Sequence, residues 1–230
     1  YMLIALPNLD GSFTVTLFFA HEGEESFAAL KTKADVDAFF ARVFPDAAAL
    51  MPDLAEVFFA NPTGSMTTLR CAPWHIGGKA MLLGDAAHAI VPFFGQGMNC
   101  GFEDCSALGE LLGNAPGWEK LFVALEKERK PNADAIADMA LENFVEMRDT
   151  VADPRFQLKK QVGFELERRF PGQFIPRYAM VVFHPEIPYA EARRRSEIQD
   201  GILEKLCAGI SSPQQVDWEA ADALVGRMNT

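Results

Sequence analysis

Positive charge is in short supply in this sequence: 21 Lys and Arg stand against 32 Asp and Glu, a formal net charge of −11 at pH 7. That deficit argues against nucleic acid, which needs a basic surface, and equally against an anionic membrane surface. Long apolar runs are missing as well. None nears the roughly 18–20 residues of a bilayer span, and residues 1–20 read as strand rather than as a basic leader with a cleavage site. Cysteine is sparse, with Cys71, Cys100, Cys105 and Cys207 showing no metal-ligand spacing. Cys100 and Cys105 are five apart on a helical pattern and do not face each other squarely, so free thiols in a reducing cytoplasm are expected. What remains is ordinary for a soluble globular chain: 49% hydrophobic and 23% charged over 230 residues, enough to bury a core in one or two domains.

The most informative stretch is residues 80–112, AMLLGDAAHAIVPFFGQGMNCGFEDCSALGELL. Its apolar opening, 80–83, is short enough for a buried strand. Gly84 then lets the backbone turn, and Asp85 stands just past the strand's end. Pro92, Gly95 and Gly97 mark a loop. From Met98 the residues Met98, Phe102, Cys105, Leu108 and Leu112 recur at spacings of three and four, a helical period. Strand, glycine-bearing loop and helix start together aim backbone N–H groups and a positive dipole end at whatever lies over the loop. An electron-rich or anionic ligand fits there. The spacing of Gly95, Gly97 and Gly101 is common in ordinary turns and names no ligand by itself. An Asp after a strand is as readily a turn or cap residue.

The whole string GDAAHAIVPFFGQGMNCGFEDC closely resembles the third FAD-contacting motif of the class A flavoprotein aromatic hydroxylases. The resemblance implies FAD, with Gly84 and Asp85 at its ribityl chain. Gly95, Gly97, Met98 and Asn99 would lay loop and helix backbone against the flavin ring. Pro92, Phe93 and Phe94 would form the wall where substrate meets it. His88 lies inside the motif and reads as backbone-positioning, because the family's chemistry uses no histidine base there.

Around this stretch the chain alternates sheet and helix patterns. Residues 2–7 and 12–20 read as strands about a turn at 8–11. An isolated hairpin is barely stable, so a larger sheet is expected, and a strand already under way at residue 2 leads us to expect a preceding segment. Residues 27–59 carry helices, with Val36, Phe39, Phe40 and Val43 at helical spacing. A strand is expected over 66–71, a crossover at 73–75, a break at 113–117, a short helix over 118–128 and a longer one from Pro131 to about Thr150. Further helices are expected over 156–170 and 189–206, with a strand-like run at 178–183 between them and a weakly amphipathic tail after Ala208. Arg193, Arg194 and Arg195 read as a solvated face, and His21 and His75 as surface or satisfied histidines.

Two other segments carry the resemblance. IALPN and SFTVTLF look like the family's substrate-domain sheet, which implies a pocket-lining role for Ile4, Leu6 and Phe18; their plain reading is sheet core. Asn143 shares a helical stripe with Ile136, Met139, Ala140 and Met147, where a buried amide needs a partner, ordinarily on another helix. NFVEMR, residues 143–148, resembles a family segment whose Asn helps hold the substrate's α-carboxylate, with Glu146 and Met147 nearby. The resemblance also places the Tyr189 hydroxyl on that carboxylate and leaves Tyr178 without a role.

The implied fold class is α/β in the α+β sense, a partial FAD-dependent hydroxylase fold. Residues 1–74 would form substrate-domain sheet and covering helices, 75–130 the flavin-contacting strand-loop-helix, and 131–230 a C-terminal helical capping region. The family's N-terminal G-x-G-x-x-G segment and its middle flavin motif have no counterpart in the sequence, so we expect the C-terminal part of a longer enzyme. The implied activity is NADPH- and O2-dependent hydroxylation of an aniline-type aromatic amino acid, in a soluble, bacterial-type cytoplasmic protein for which a homodimer is allowed. Such a ring is already electron-rich, so no catalytic base and no metal are nominated. Two other readings stay open: a class A hydroxylase for another aromatic acid or quinone precursor, and a non-catalytic helical interaction module with a remnant flavin motif.

Overall fold

A computed structural model describes residues 1–113 and 117–229. Between Met66 and Thr67 the chain divides into two compact units; residue 74 was the expected boundary.

In the first unit β1 (Met2–Pro7) and β2 (Phe13–Phe18) pair antiparallel, from Met2↔Phe18 to Pro7↔Phe13. Asp10 Oδ1 accepts the Ser12 N–H at 2.9 Å and so closes the turn, while Gly11 takes a φ of +84° that a side chain would resist. Three helices follow: α1 (Lys33–Val43), α2 (Pro45–Ala48) and α3 (Leu54–Ala60). Thr32 and Asp35 form a capping box that satisfies donors at the start of α1. The cross-strand partners Leu3 and Leu17 pack on Val36, Phe39, Phe40 and Ala55, the core of this unit. By the alternation of the pleat, Ile4, Leu6 and Phe18 share the opposite face, with Leu6 60% exposed. They are therefore brought together, but away from the core that their plain reading assigned them. The larger sheet is not seen: among the described residues this sheet has two strands.

The second unit is mostly helical. The expected strand over 66–71 does not form; Leu69 N–H reaches Ala89 O at 2.8 Å without a ladder. A small hairpin pairs β3 (His75–Ile76) with β4 (Ala80–Met81), so the strand expected over 80–83 stops at Met81. Then come α4 (Asp85–His88), α5 (Gly97–Leu112), α6 (Trp118–Val145), α7 (Pro154–Arg169), α8 (Arg177–Phe183), α9 (Tyr189–Leu206) and α10 (Trp218–Gly226). Of the break expected at 113–117, residues 114–116 lie outside the described residues.

Two expectations are corrected here. The helices expected on either side of Pro131 are one, α6, prolonged by a π-helical turn over Glu146–Thr150. Pro131 removes the donor that would meet the Lys127 carbonyl, but Lys127 is exposed and water can take that place. Leu121 and Leu125 before it, and Ala133, Ile136, Ala137 and Ala140 after it, stay buried, so burial outweighs one lost bond. No break in structure separates 75–130 from 131–230. The run at 178–183, read as strand, is α8, opened by Pro176 at its N-cap and burying Met180 and Val181. Elsewhere α7, α9 and α10 enclose Leu158, Val162, Leu166, Phe174, Ile202 and Val225.

Candidate functional site

Gly84 leaves β4 with φ +57° and ψ −140°, a left-handed φ that glycine tolerates and other residues avoid. A Cβ on Gly101 would lie 3.5 Å from the Gly84 Cα, so the turn and the second turn of α5 meet backbone to backbone. Asp85 follows, exposed, at the start of α4. Pro92, Phe93 and Phe94 form a single 3-10 turn ended by Gly95 at φ +68°. Helix α5 then begins at Gly97 with no side chain capping its first turn, and Met98 and Asn99 are exposed. The first N–H groups of a helix have no intrahelical acceptor. Open amides, a nearby exposed carboxylate and side-chain-free backbone at Gly84, Gly95 and Gly97 fit a flat, electron-rich ring carrying a hydroxyl-bearing tail. Residues that hydropathy alone would separate, Gly84, Asp85, Gly97, Met98 and Asn99, thus belong to one corner of the fold.

Beneath this corner lies a charged network that the sequence reading did not anticipate. Asp104, on α5, is fully buried. Its Oδ2 accepts the Gly84 N–H at 3.1 Å and lies 2.6 Å from His88 Nε2; its Oδ1 accepts Arg129 Nε at 2.8 Å. The other arm of Arg129 donates to the Cys100 carbonyl at 3.2 Å and pairs with Glu103 at 2.9 Å. His88 packs at a tilt on buried Trp74, with ring centroids 5.1 Å apart. Burial pulls the His88 pKa down, but the bond to Asp104, aided by Cys100, prevails and raises it to about 10. Burial works to raise the Asp104 pKa, yet His88 and Arg129 hold it below the ordinary carboxylate value. Donor atoms of His88, Cys100 and Asp104 lie within 4.8 Å of one another, but this is no metal centre. Arg129 bonds both Asp104 and the Cys100 sulfur, and a second cation would meet it. The signal available in the sequence was an Asp and an Arg on helix faces otherwise apolar, Asp104 beside Cys100 and Ala107, Arg129 beside Leu125 and Ala133.

The predicted substrate residues of this unit separate into distinct roles. Phe93 and Phe94, expected to form the wall, are buried: Phe93 stacks on Phe144 at 4.5 Å and Phe94 on Tyr178 at 5.8 Å, while Pro92 is exposed. Asn143 donates through Nδ2 to the Phe93 carbonyl at 2.7 Å and lies 3.5 Å from the Met147 sulfur, so these three are together. Glu146 accepts from Arg177 at 2.9 Å. Tyr189 is 4% exposed, and its hydroxyl donates to Gln96 Oε1 at 3.0 Å, an oxygen that also accepts from Asn99 Nδ2 at 2.9 Å. This hydroxyl, expected on a substrate carboxylate, bonds Gln96 beside the start of α5. Burial and the Glu103 carboxylate push this phenol's pKa up, keeping it a donor. Tyr178, left without a role by the sequence, is the half-exposed ring on Phe94. Arg193 is not part of a solvated face: it pairs with Asp138 and Glu142 on α6, while Arg194 and Arg195 pair with Glu191 on their own helix. His21 and His75 are satisfied as expected, by Ser65 and by the Gly77 carbonyl. All four cysteines are free thiols.

This corner matches a known class. Residues 51–140 match the family described as FAD binding domain. The particular proteins it resembles are kynurenine 3-monooxygenases. It is 56% identical over 225 residues to the one from Myxococcus xanthus, covering 98% of this chain and 48% of that protein. It is 51% identical to that of Stenotrophomonas maltophilia (98% and 49%) and 42% identical to that of Legionella pneumophila (98% and 50%). The chain spans about half the length of the curated relatives it matches. No helix among the described residues is long and apolar enough to cross a membrane.

Proposed function

We propose that this chain supplies the flavin-ring and substrate side of an FAD-dependent monooxygenase that hydroxylates L-kynurenine at ring position 3, with NADPH as reductant. The observation that carries it is the juxtaposition of the uncapped start of α5 with the Phe93 carbonyl held by Asn143; the resemblance to kynurenine 3-monooxygenases over 98% of the chain supports the substrate. FAD, when bound, supplies the redox chemistry that brings electrons from NADPH to O2.

The residues of the chain bind, orient and exclude water. Amides of Met98 and Asn99 stabilise negative charge at the ring edge, an interaction strongest in a dry site. Asp85 accepts from the hydroxyls of the tail. The paired rings Phe93–Phe144 and Phe94–Tyr178 leave little room for solvent beside the substrate. Asn143, fixed by Phe93, orients the amino-acid end, with Met147 and the Arg177-bound Glu146 around it. Tyr189 acts one step back, through Gln96. An aniline ring needs no strong base, and none is assigned.

Co-expressing this chain with the complementary half of the Myxococcus relative tests the proposal. Bound flavin and NADPH oxidation stimulated by kynurenine, not by phenolic acids, are expected. Stimulation by phenolic acids instead would move the chain to another aromatic hydroxylase, and no flavin uptake would leave the helical-module reading.

A further inference from the structure

We propose that the buried His88–Asp104–Arg129 network positions the Gly84–Asp85 turn against the start of α5 and holds the His88 imidazolium beneath it, so that it sets flavin affinity and favours the reduced flavin. This rests on the flavin reading above. Three segments meet at one carboxylate: the turn through the Gly84 N–H, α4 through His88, and α6 through Arg129, with Asp104 itself on α5. Every contact of Asp104 is with a donor. Asp85 is the next residue after the amide that Asp104 grips, and Asn99 lies five residues before Asp104 on α5, so the separation of Asp85 and Asn99 depends on Asp104.

Two cations, His88 and Arg129, face the one fully buried anion, Asp104, while Glu103, 44% exposed, pairs with Arg129 from the solvent side. A buried ionic cluster is weak evidence for stability, since apolar packing of like volume often does as well. An apolar replacement, however, would leave the Gly84 N–H without its acceptor and would remove the positive potential under the turn. Imidazole at this place remains charged through the neutral range, consistent with its raised pKa.

Two variants separate geometry from charge. In Asp104→Asn one side-chain oxygen becomes an NH2 that must face a donor, so the grip fails. His88→Gln keeps a donor for Asp104 but deletes the charge. The first readout needs no flavin: in the chain itself, amide hydrogen exchange at Gly84 should quicken at least tenfold in Asp104→Asn, while amides of α9 and α10 change less. The second uses the FAD-loaded protein, complemented as above. His88→Gln should lose about tenfold of its preference for reduced over oxidised flavin, a fall of about 30 mV for a two-electron couple, with Gly84 exchange near wild type. Asp104→Asn should also bind FAD at least tenfold more weakly. Should Asp104→Asn not fold, His88→Gln alone decides the charge, and an unshifted potential overturns the proposal. If wild type takes up flavin and both variants match it in potential and Gly84 exchange, this inference falls alone; if wild type takes up none, the flavin reading falls and takes this inference with it.

Discussion

Raising the pH should unfasten His88, and the loss has a definite slope. The imidazole has an ordinary pKa of 6.5 and is raised to about 10 in the folded chain. A pKa raised by folding contributes stability that is complete below 6.5 and lost as pH climbs through 10. Between those values the folded chain binds one proton that the unfolded chain does not, so stability falls by about 1.4 kcal/mol per pH unit from this group. Over the whole window the contribution is on the order of 5 kcal/mol, comparable with the net stability of a small domain. Urea midpoints of wild type and His88→Gln, taken from pH 7.5 to 9.5, isolate it, because contributions from groups away from His88 cancel between the two. Wild type should lose about 1.4 kcal/mol per pH unit more than the variant. Parallel lines would refute the argument. Should the variant not fold, an NMR titration of wild type decides: the His88 ring signals should stay fixed from pH 5.5 to 8.5, and movement there would mean the imidazole is not held charged.

Other changes have narrower consequences. Phe174→Ala, which empties a core position 1% exposed, should cost about 3–5 kcal/mol in chemical denaturation. Thr32→Ala removes the capping box of α1 and should cost about 1 kcal/mol, measured by the same method. Tyr189→Phe deletes the bond to Gln96 and should lower stability by about 1 kcal/mol while leaving the kynurenine KM of the complemented enzyme near wild type; a large rise in KM would return this hydroxyl to the substrate. Asn143→Ala should raise that KM by roughly ten- to a hundredfold, the equivalent of about 1.5–3 kcal/mol for a contact to a charged group, with flavin content unchanged.

The sequence was most legible where side-chain chemistry and backbone demand coincide. Gly84, Gly95 and the helical period from Met98 located the turn, the loop and α5, because positive φ and a repeat of three and four leave few alternatives. Residues 2–7 and 189–206 likewise form the expected elements. Residues 178–183 misled because a short run of Tyr, Ala, Met, Val, Val and Phe has no period that distinguishes strand from buried helix; the preceding Pro176 was the better guide. Pro131 misled because a proline inside a helix is costly on average, while here its missing bond faces water. Tyr189 shows a different limit. Its sequence place marks a hydroxyl but not the partner of that hydroxyl, Gln96, 93 positions away in the chain. The Asp104 network was hidden for the same reason, since His88 and Arg129 lie 16 and 25 positions from Asp104.

Helix α6 carries both Arg129, which clasps Asp104 beneath the Gly84 turn, and Asn143, which clasps the Phe93 loop, on one uninterrupted rod. At about 1.5 Å per residue the two lie roughly 21 Å apart along its axis, and each added residue would swing one past the other by about 100°. The interval between them therefore behaves as a ruler: it can absorb changes of residue type on its outer side, but a single insertion or deletion would put one clasp out of reach.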